Sequence, residues 1–190
     1  MHTLQELGLK YGTTKADIST PANYLSFYEL HLAPLRDKPI TLLEIGVEYG
    51  NSLRMWREYF PQGKIIGMDC NDVNSYVSGE RIETVVGNQG SLKDLDRVAE
   101  AYGPFDVIVD DAGHQPSLQI FCYKHMCKQV KPGGFYILED LIGNHGIPFG
   151  PECTSSLVKL ADSIIHRKLD HIETIAFSYG TSITKMRSAP

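Results

Sequence analysis

The sequence predicts a doubly wound α/β fold, with a mostly parallel sheet and an antiparallel hairpin at its C-terminal end. Three observations support this prediction: short apolar runs alternate with amphipathic segments, a glycine turn follows the first apolar run, and several runs end in an acid. Such alternation is typical of βαβ units, whose helices cover both faces of a parallel sheet. The 190 residues suit one domain, residues 1–190.

The first forty residues, 1–40, are expected to form an arm and a helix outside the sheet. Residues 1–20 are polar and mixed, and their composition is as consistent with a frayed arm as with an ordered one. A helix is expected from Pro21, because a wide apolar stripe runs through the segment that follows, until Pro34 ends it.

A strand, a glycine turn, a helix and a second strand come next. The apolar run 41–45 predicts a buried strand that leads directly into the turn 46–50. A helix capped by Asn51 or Ser52 follows, and residues 64–69 form a strand that ends in an acid. This is the layout of one nucleotide-binding half of a doubly wound sheet.

The glycine turn favours a nucleoside ligand over a dinucleotide. Gly46 and Gly50 let the turn approach a ligand closely, and Asp69 stands where a carboxylate grips ribose hydroxyls. Glu48 occupies the second glycine position of the dinucleotide fingerprint, and the third glycine is missing as well. A glutamate there would repel a pyrophosphate, so the turn argues against NAD.

The rest of the chain is expected to complete the sheet. The predicted elements are a strand at 81–86, a helix that begins after the cap at Ser91, a strand at 105–109, a helix from Pro116 to about Val130, a strand from Phe135, a helix capped by Thr154 and a hairpin over 171–186. Residues 141–153 hold three glycines and two prolines. They are expected to form an irregular loop, a candidate active-site lid at the mouth of the sheet.

Acidic residues follow the fourth and fifth predicted strands. Asp110, Asp111 and His114 come after one strand, and Glu139 and Asp140 come after the other. Ligands bind beyond the carboxyl ends of parallel strands, so these side chains converge if the two strands are neighbours. Clustered carboxylates repel one another unless a cation lies among them, and oxygen ligands suit a hard cation such as Mg²⁺. The sequence therefore predicts a divalent cation with a histidine beside it.

Charge and composition narrow the remaining classes of partner. The net charge is −5 without a basic block, which argues against a nucleic acid or an anionic membrane as partner. No apolar run approaches the roughly 20 residues that cross a bilayer, and the first residues lack a secretory signal pattern. The four cysteines form no Cys-x-x-Cys pair and indicate reduced thiols. A cytoplasmic location is expected.

The chain resembles the class I S-adenosylmethionine-dependent methyltransferases, and among them the metal-dependent sugar O-methyltransferases of the macrocin and mycinamicin type. The resemblance covers about residues 10–142, and its specific part is the Asp-Asp-x-x-His motif together with the Glu-Asp pair. The stretches that carry it are 43–56, 59–61, 87–89, 105–114, 131–134 and 138–141, together with 11–15 and 32–36 near the N-terminus.

This resemblance implies a Rossmann-like methyltransferase fold and a role for individual residues. Residues 11–15 would fold over the cofactor. His114 would be the general base, and Asp111 would act with it in catalysis. Magnesium, or another hard divalent cation, would be bound by Asp111, Glu139 and Asp140. S-adenosylmethionine would be bound by Glu44, Gly46, Ser52, Asp69, Asn88, Gln89, Asp110 and Thr13.

The implied reaction is Mg²⁺-dependent methyl transfer from S-adenosylmethionine to one hydroxyl of a vicinal diol. The expected acceptor is a small molecule or glycan, above all a deoxysugar such as rhamnose on a glycan or a glycosylated natural product. A catechol-type acceptor and a non-catalytic module that only binds S-adenosylmethionine remain alternatives. An NAD-linked reductase is opposed by Glu48. A homo-oligomer is possible, and the sequence does not give the oligomeric state.

Overall fold

A seven-stranded mixed sheet forms the centre of the molecule. The computed structural model describes residues 2–17, 24–77, 79–141, 171–178 and 180–188. The strands are β1 (Thr41–Ile45), β2 (Lys64–Asp69), β3 (Ile82–Val86), β4 (Phe105–Asp110), β5 (Val130–Leu138), β6 (Ile172–Ser178) and β7 (Thr181–Met186). The helices are α1 (Leu4–Tyr11), α2 (Tyr24–Leu32), α3 (Asn51–Tyr59), α4 (Leu92–Tyr102) and α5 (Pro116–Met126). None of these helices combines the length and the apolar character needed to pass through a lipid bilayer.

The strand order β3-β2-β1-β4-β5-β7-β6 confirms the predicted doubly wound sheet. Strands β1 to β5 pair in parallel, whereas β7 is antiparallel to both β5 and β6. The order reverses between β1 and β4, which is where ligands bind in such sheets. Asp110 pairs with Ile45 on one side and with Leu138 on the other. The residues that follow β1, β4 and β5 therefore meet at this reversal.

Two apolar layers cover the sheet. Helices α1, α2 and α3 pack on one face, and α4 and α5 pack on the other. Trp56 of α3 is fully buried in the first layer, with its ring stacked at 6.4 Å from Tyr28 and 6.2 Å from Phe60. Trp56 and Phe60 therefore belong to the core, and they fix one side of the crevice beside β1.

Residues 4–11 are an ordered helix, which composition alone did not distinguish from a frayed arm. Thr3 and Glu6 form a reciprocal capping box: the Glu6 N–H donates to Thr3 Oγ1 at 3.1 Å, and the Thr3 N–H donates to Glu6 Oε2 at 2.8 Å. Leu4 and Leu7 are buried, and Gly12 ends the helix with a φ of 67°. The Thr-x-x-Glu spacing, with Leu4 inside it and Leu7 directly after it, is the sequence signal for this helix.

The largest difference from the predicted boundaries lies between α5 and β5. Helix α5 ends at Met126 rather than near Val130, and β5 begins at Val130 rather than Phe135. Val130 pairs with Phe105 before the register shifts, and Gly133 has a φ of 80° inside the shifted stretch. A glycine in this conformation is typical of a β-bulge, so the glycine-rich turn is part of the strand. The helix start predicted at Pro21, all of the predicted lid 141–153 except Leu141, and the predicted helix from Thr154 lie outside the described residues.

Candidate active site

A cleft of about 780 Å³ opens beyond the carboxyl ends of β1 and β4. Its volume lies within the range of about 300–1,000 Å³ that is usual for small-molecule sites. Glu44 and Asp110, two of the predicted cofactor ligands, do not line the cleft. Six predicted cofactor ligands do line it, namely Thr13, Gly46, Ser52, Asp69, Asn88 and Gln89.

The glycine turn after β1 lies against the loop after β4. Gly46 has a φ of 94°, and a Cβ added to it would lie 2.2 Å from the backbone oxygen of Asp111. A side chain at this position would therefore push the two loops apart. The sequence identified Gly46 as a place of close approach to a ligand, and the structure shows a close approach between two walls of the cleft.

Asp69, at the end of β2, organises the same turn. Its Oδ2 accepts hydrogen bonds from the N–H groups of Val47 at 2.9 Å and Glu48 at 3.2 Å. Its Oδ1 accepts from the N–H of Asn71 at 2.9 Å and from the Asn71 side-chain amide at 3.2 Å. Burial acts to raise the pKa of Asp69, but these donors outweigh it and hold the pKa below its usual range. A carboxylate has about four acceptor positions, so a ribose hydroxyl would replace one of these donors.

A buried hydrogen-bond chain lies behind the cleft. Gln89 donates to Asp110 Oδ1 at 2.6 Å and accepts from the N–H of Gly113 at 2.9 Å. The Tyr136 hydroxyl donates to Asp110 Oδ2 at 2.7 Å. Burial raises the pKa of Asp110 to about 7. Asp110 therefore acts from behind the wall, by holding Gln89 and, through it, the loop that carries His114.

Glu44 also acts from behind the cleft. Its side chain is fully buried, and Trp56 Nε1 donates to Glu44 Oε2 at 3.1 Å. Burial raises the pKa of Glu44, while Lys15, whose Nζ lies 3.3 Å from Oε1, acts to lower it. Glu44 thus joins the aromatic core to a residue that lines the cleft.

Lys15 is a site residue to which the sequence gave no role of its own. Its Nζ contacts Asp111 Oδ2 and lies 2.9 Å from Glu139 Oε2. Burial acts to lower the pKa of Lys15, but Asp111, Glu139 and Glu44 outweigh it, so the pKa lies well above its usual range. Burial, followed by the charge of Asp111, raises the pKa of Glu139. The resemblance placed residues 11–15 over the cofactor but did not predict that the ammonium group of Lys15 lies among the acids.

Asp111, His114 and Asp140 form the rim of the acidic cluster, and one ligand atom of each lies within 4.8 Å of the others. His114 Nε2 is 3.4 Å from Asp140 Oδ2, and the Tyr24 hydroxyl donates to Asp140 Oδ1 at 3.0 Å. Two atoms bound to one Mg²⁺ at about 2.1 Å lie about 4.2 Å apart when they are trans and about 3.0 Å apart when they are cis, so ligand atoms separated by up to 4.8 Å would need to approach one another by roughly 0.6 to 1.8 Å. The carboxylate donors and the spacing fit a hard divalent cation.

The structure brings together two of the three predicted metal ligands and the predicted base. Asp111 and Asp140 belong to the converging group, and His114 joins them. Glu139 is 1% exposed and turns towards Lys15 instead. His114 Nδ1 is buried and has no hydrogen-bond partner among the described residues.

Comparisons with known proteins agree on one group of relatives, although no protein-family model matches the chain. The mycinamicin VI 2''-O-methyltransferase of Micromonospora griseorubida is 36% identical over 185 residues, which cover 87% of this chain and 45% of that protein. The 8-demethyl-8-(2-methoxy-alpha-L-rhamnosyl)-tetracenomycin-C 3'-O-methyltransferase of Streptomyces olivaceus is 41% identical over 125 residues, which cover 62% of this chain and 32% of that protein.

A solved structure matches almost the whole chain. The MycE methyltransferase from the mycinamycin biosynthetic pathway, in complex with Mg and SAH, aligns with a TM-score of 0.87 at 31% identity. The alignment covers 98% of this chain and 55% of that chain. The chain spans between 32% and 45% of the length of the curated relatives it matches.

Proposed function

The chain has the class I methyltransferase fold and is a relative of the sugar O-methyltransferases of the macrocin and mycinamicin type, and on this premise we propose that it is an S-adenosylmethionine-dependent, Mg²⁺-dependent O-methyltransferase. The proposed acceptor is one hydroxyl of a vicinal diol on a sugar, such as a rhamnose on a glycan or a glycosylated natural product. One observation carries the proposal: the cleft at the strand-order reversal ends at the converging ligand atoms of Asp111, His114 and Asp140.

The acceptor class rests on the relatives, whose names specify mycinamicin VI and a rhamnosyl tetracenomycin. The open rim of the cleft is compatible with such an acceptor, because Asp111, His114 and Asp140 are all partly exposed there. The proposal requires neither a nucleic acid nor a membrane, and it keeps the cytoplasmic location expected from the sequence.

The proposed cofactor position follows the cleft from β2 to β4. Asp69 would accept hydrogen bonds from the ribose hydroxyls at the end of β2, and Asn88 would border the adenine. Gly46 and Ser52 would adjoin the methionine part, while Thr13 in the N-terminal segment closes the opposite side. The other proposed cofactor residues, Glu44, Gln89 and Asp110, would hold these contacts in place through the buried hydrogen bonds behind the wall.

The proposed cation position lies at the rim. Asp111 and Asp140 would bind Mg²⁺ together with Glu139, and His114 would remain free as the base. Glu139 Oε2 lies 2.9 Å from Lys15 Nζ. To bind the cation in this arrangement, Glu139 would have to give up part of its contact with Lys15.

The protein residues would contribute alignment and proton transfer. When bound, the sulfonium cofactor supplies the methyl group, and the divalent cation supplies positive charge that favours the ionised form of an acceptor hydroxyl. His114 would take up the hydroxyl proton at Nε2, and the carboxylate of Asp140, which lies 3.4 Å from this nitrogen, would stabilise the imidazolium that forms. Holding the two reactants in line can lower the activation free energy of the transfer by roughly 7–11 kcal/mol.

Three measurements test the proposal. Calorimetry should show binding of S-adenosylhomocysteine and no binding of NAD, and the reverse result would remove the methyltransferase proposal. Transfer of labelled methyl groups should then be screened against free and glycan-linked sugars, with catechols as the competing acceptor class. Activity should disappear in EDTA and return with Mg²⁺, whereas full activity in EDTA would remove the cation from the proposal. Cofactor binding without transfer to either class would favour the non-catalytic module.

A further inference from the structure

One lysine side chain lies inside the acidic cluster at the mouth of the sheet. Lys15 Nζ contacts Asp111 Oδ2, and it lies 2.9 Å from Glu139 Oε2 and 3.3 Å from Glu44 Oε1. Only 3% of the lysine side chain is exposed. Glu44 belongs to β1, whereas Asp111 and Glu139 follow β4 and β5. A single ammonium group therefore joins acids from three strands.

The backbone around Lys15 fixes the position of this ammonium group. Lys15 lies in a short 3₁₀ turn that the Thr13 side chain caps. Gln5 Nε2 of α1 donates to the backbone oxygen of Ala16 at 2.9 Å. A Cβ added to Gly8 would lie 2.8 Å from the Ala16 Cβ, so this glycine lets the turn pack directly against α1. The lysine thus extends from a packed turn and not from a free arm.

If all three were ionised, the acids around Lys15 would carry three negative charges against one ammonium group, and burial raises the pKa of both Glu44 and Glu139. In the described part of the chain, the ion pairs of Glu44 and Glu139 are with Lys15. The second oxygen of Glu139, Oε1, is buried and has no hydrogen-bond partner among these residues. Buried carboxylates are costly unless they are paired and hydrogen-bonded, so the cluster still has an unmet requirement for positive charge.

We propose that Lys15 is a positioning residue that serves as the resident cation of the acidic cluster and competes with the divalent cation for Asp111 and Glu139. The inference rests on the proposed cation site and adds a residue from outside the predicted ligand set. Lys15 keeps the acids close together before the divalent cation arrives. The same contact opposes cation binding, because the ammonium group repels the incoming charge and occupies two of its oxygens.

The competition links the cation to the cofactor cleft. Thr13 and Lys15 both line this cleft, and they belong to the same short turn. A cation that draws Asp111 and Glu139 away from Lys15 therefore weakens the contact that ties this turn to the sheet. Lys15 would thus couple the occupancy of the cation site to the segment that covers the cofactor.

Substitution of Lys15 tests the proposal without an activity assay. The variants are K15M, which removes the charge and keeps much of the side-chain volume, and K15R, which retains the charge. The matched control is K10M, because Lys10 lies in the same N-terminal segment but is half-exposed and pairs with Glu58. Thermal unfolding is measured in EDTA and with added Mg²⁺ at equal ionic strength, and Mg²⁺ affinity is measured by calorimetry.

The expected result has two parts. In EDTA, K15M unfolds at a lower temperature than the wild type, whereas K10M does not. With Mg²⁺, K15M binds the cation roughly tenfold or more tightly than the wild type, and its unfolding temperature rises further. K15R behaves like the wild type in both measurements. If K15M is unfolded in EDTA, refolding by Mg²⁺ but not by matched Na⁺ supports the proposal, and K15Q provides a second neutral variant.

Other outcomes overturn the inference in distinguishable ways. Folded K15M with Mg²⁺ affinity equal to or weaker than that of the wild type overturns the competition alone. Neutral variants that stay unfolded in Mg²⁺ also overturn it. If the wild type and all variants bind no Mg²⁺, the proposed cation site fails together with the competition. In that case the unfolding temperature of K15M in EDTA still shows whether Lys15 stabilises the folded protein through its contacts with the acids.

Discussion

Asp110 allows a quantitative test of the hydrogen-bond chain behind the cleft, through the substitution Asp110→Asn. Asp110 accepts from Gln89 on one oxygen and from the Tyr136 hydroxyl on the other. In the variant, Oδ1 keeps the bond from Gln89, and the new amide can donate to the Tyr136 oxygen. The Tyr136 hydroxyl can then donate to Cys122 Sγ, which already lies 3.6 Å away. The substitution therefore leaves every group with a partner and removes only the ionisable proton.

The magnitude follows from the pKa of Asp110, which burial raises from 3.8 to about 7. A raised pKa in the folded state means that the native protein holds the proton more tightly than the unfolded chain. The protonated form of Asp110 therefore stabilises the folded protein. This stabilisation is fully present below about pH 4 and is lost as the pH rises through about 7. At about 1.4 kcal/mol per pH unit, Asp110 costs the wild type about 4 kcal/mol above pH 7. The asparagine variant has no such dependence, because its side-chain amide does not titrate.

Urea unfolding in EDTA at several pH values measures this difference. We expect the stability of Asp110→Asn relative to the wild type to rise by about 4 kcal/mol between about pH 4 and pH 8. Asp96→Asn is the matched control, because Asp96 is an exposed acid that pairs with His125, and its relative stability should change little. A relative stability of Asp110→Asn that stays constant across this range would refute the burial argument.

Three further predictions concern the cleft. His114→Ala should retain the affinity for S-adenosylhomocysteine and lose about a hundredfold or more in turnover, and a loss of less than about tenfold would mean that His114 is not the base. Gly46→Ala should lower the free energy of unfolding by about 2–4 kcal/mol, because it adds both a strained φ and a clash with the Asp111 backbone. Gly12→Ala is its control, since Gly12 has a φ of 67° and open space around it, and equal losses in the two variants would contradict the clash. Asp69→Asn should weaken S-adenosylhomocysteine binding by roughly tenfold or more in calorimetry, and unchanged affinity would exclude the ribose contact.

The fold class was predictable because it depends on short-range patterns. Each of the first five strands is a short apolar run followed by a turn signal, and right-handed crossovers leave few ways to arrange them. The same logic placed Asp111, His114 and Asp140 at one edge of the sheet, since each follows a strand that ends there. Boundaries were harder to predict, as the glycine-rich stretch within β5 shows, because a β-bulge and a loop have the same composition.

The roles of the buried acids were less accessible from sequence. Glu44 and Asp110 stand at the expected positions, but whether a strand-end carboxylate faces the cleft or the core depends on its neighbours. Glu44 faces Trp56 and Asp110 faces Tyr136, and both aromatic side chains belong to other elements of the fold. A pattern of residue types does not show which hydrogen-bond partner lies on the other side of a strand.

Glu139 and Asp140 show how two adjacent acids acquire different environments. Asp140 has a φ of 49°, which turns its side chain to the rim beside His114 and Tyr24, whereas Glu139 points inward to Lys15. A left-handed conformation is uncommon for a residue other than glycine, so its neighbours must hold it in place. From sequence the two acids look interchangeable as ligands. Lys15 lies 96 and 124 positions from Asp111 and Glu139, so no local pattern connects them. The contact between the N-terminal turn and the ends of β4 and β5 therefore engages Asp111 and Glu139 and leaves Asp140 at the rim beside His114.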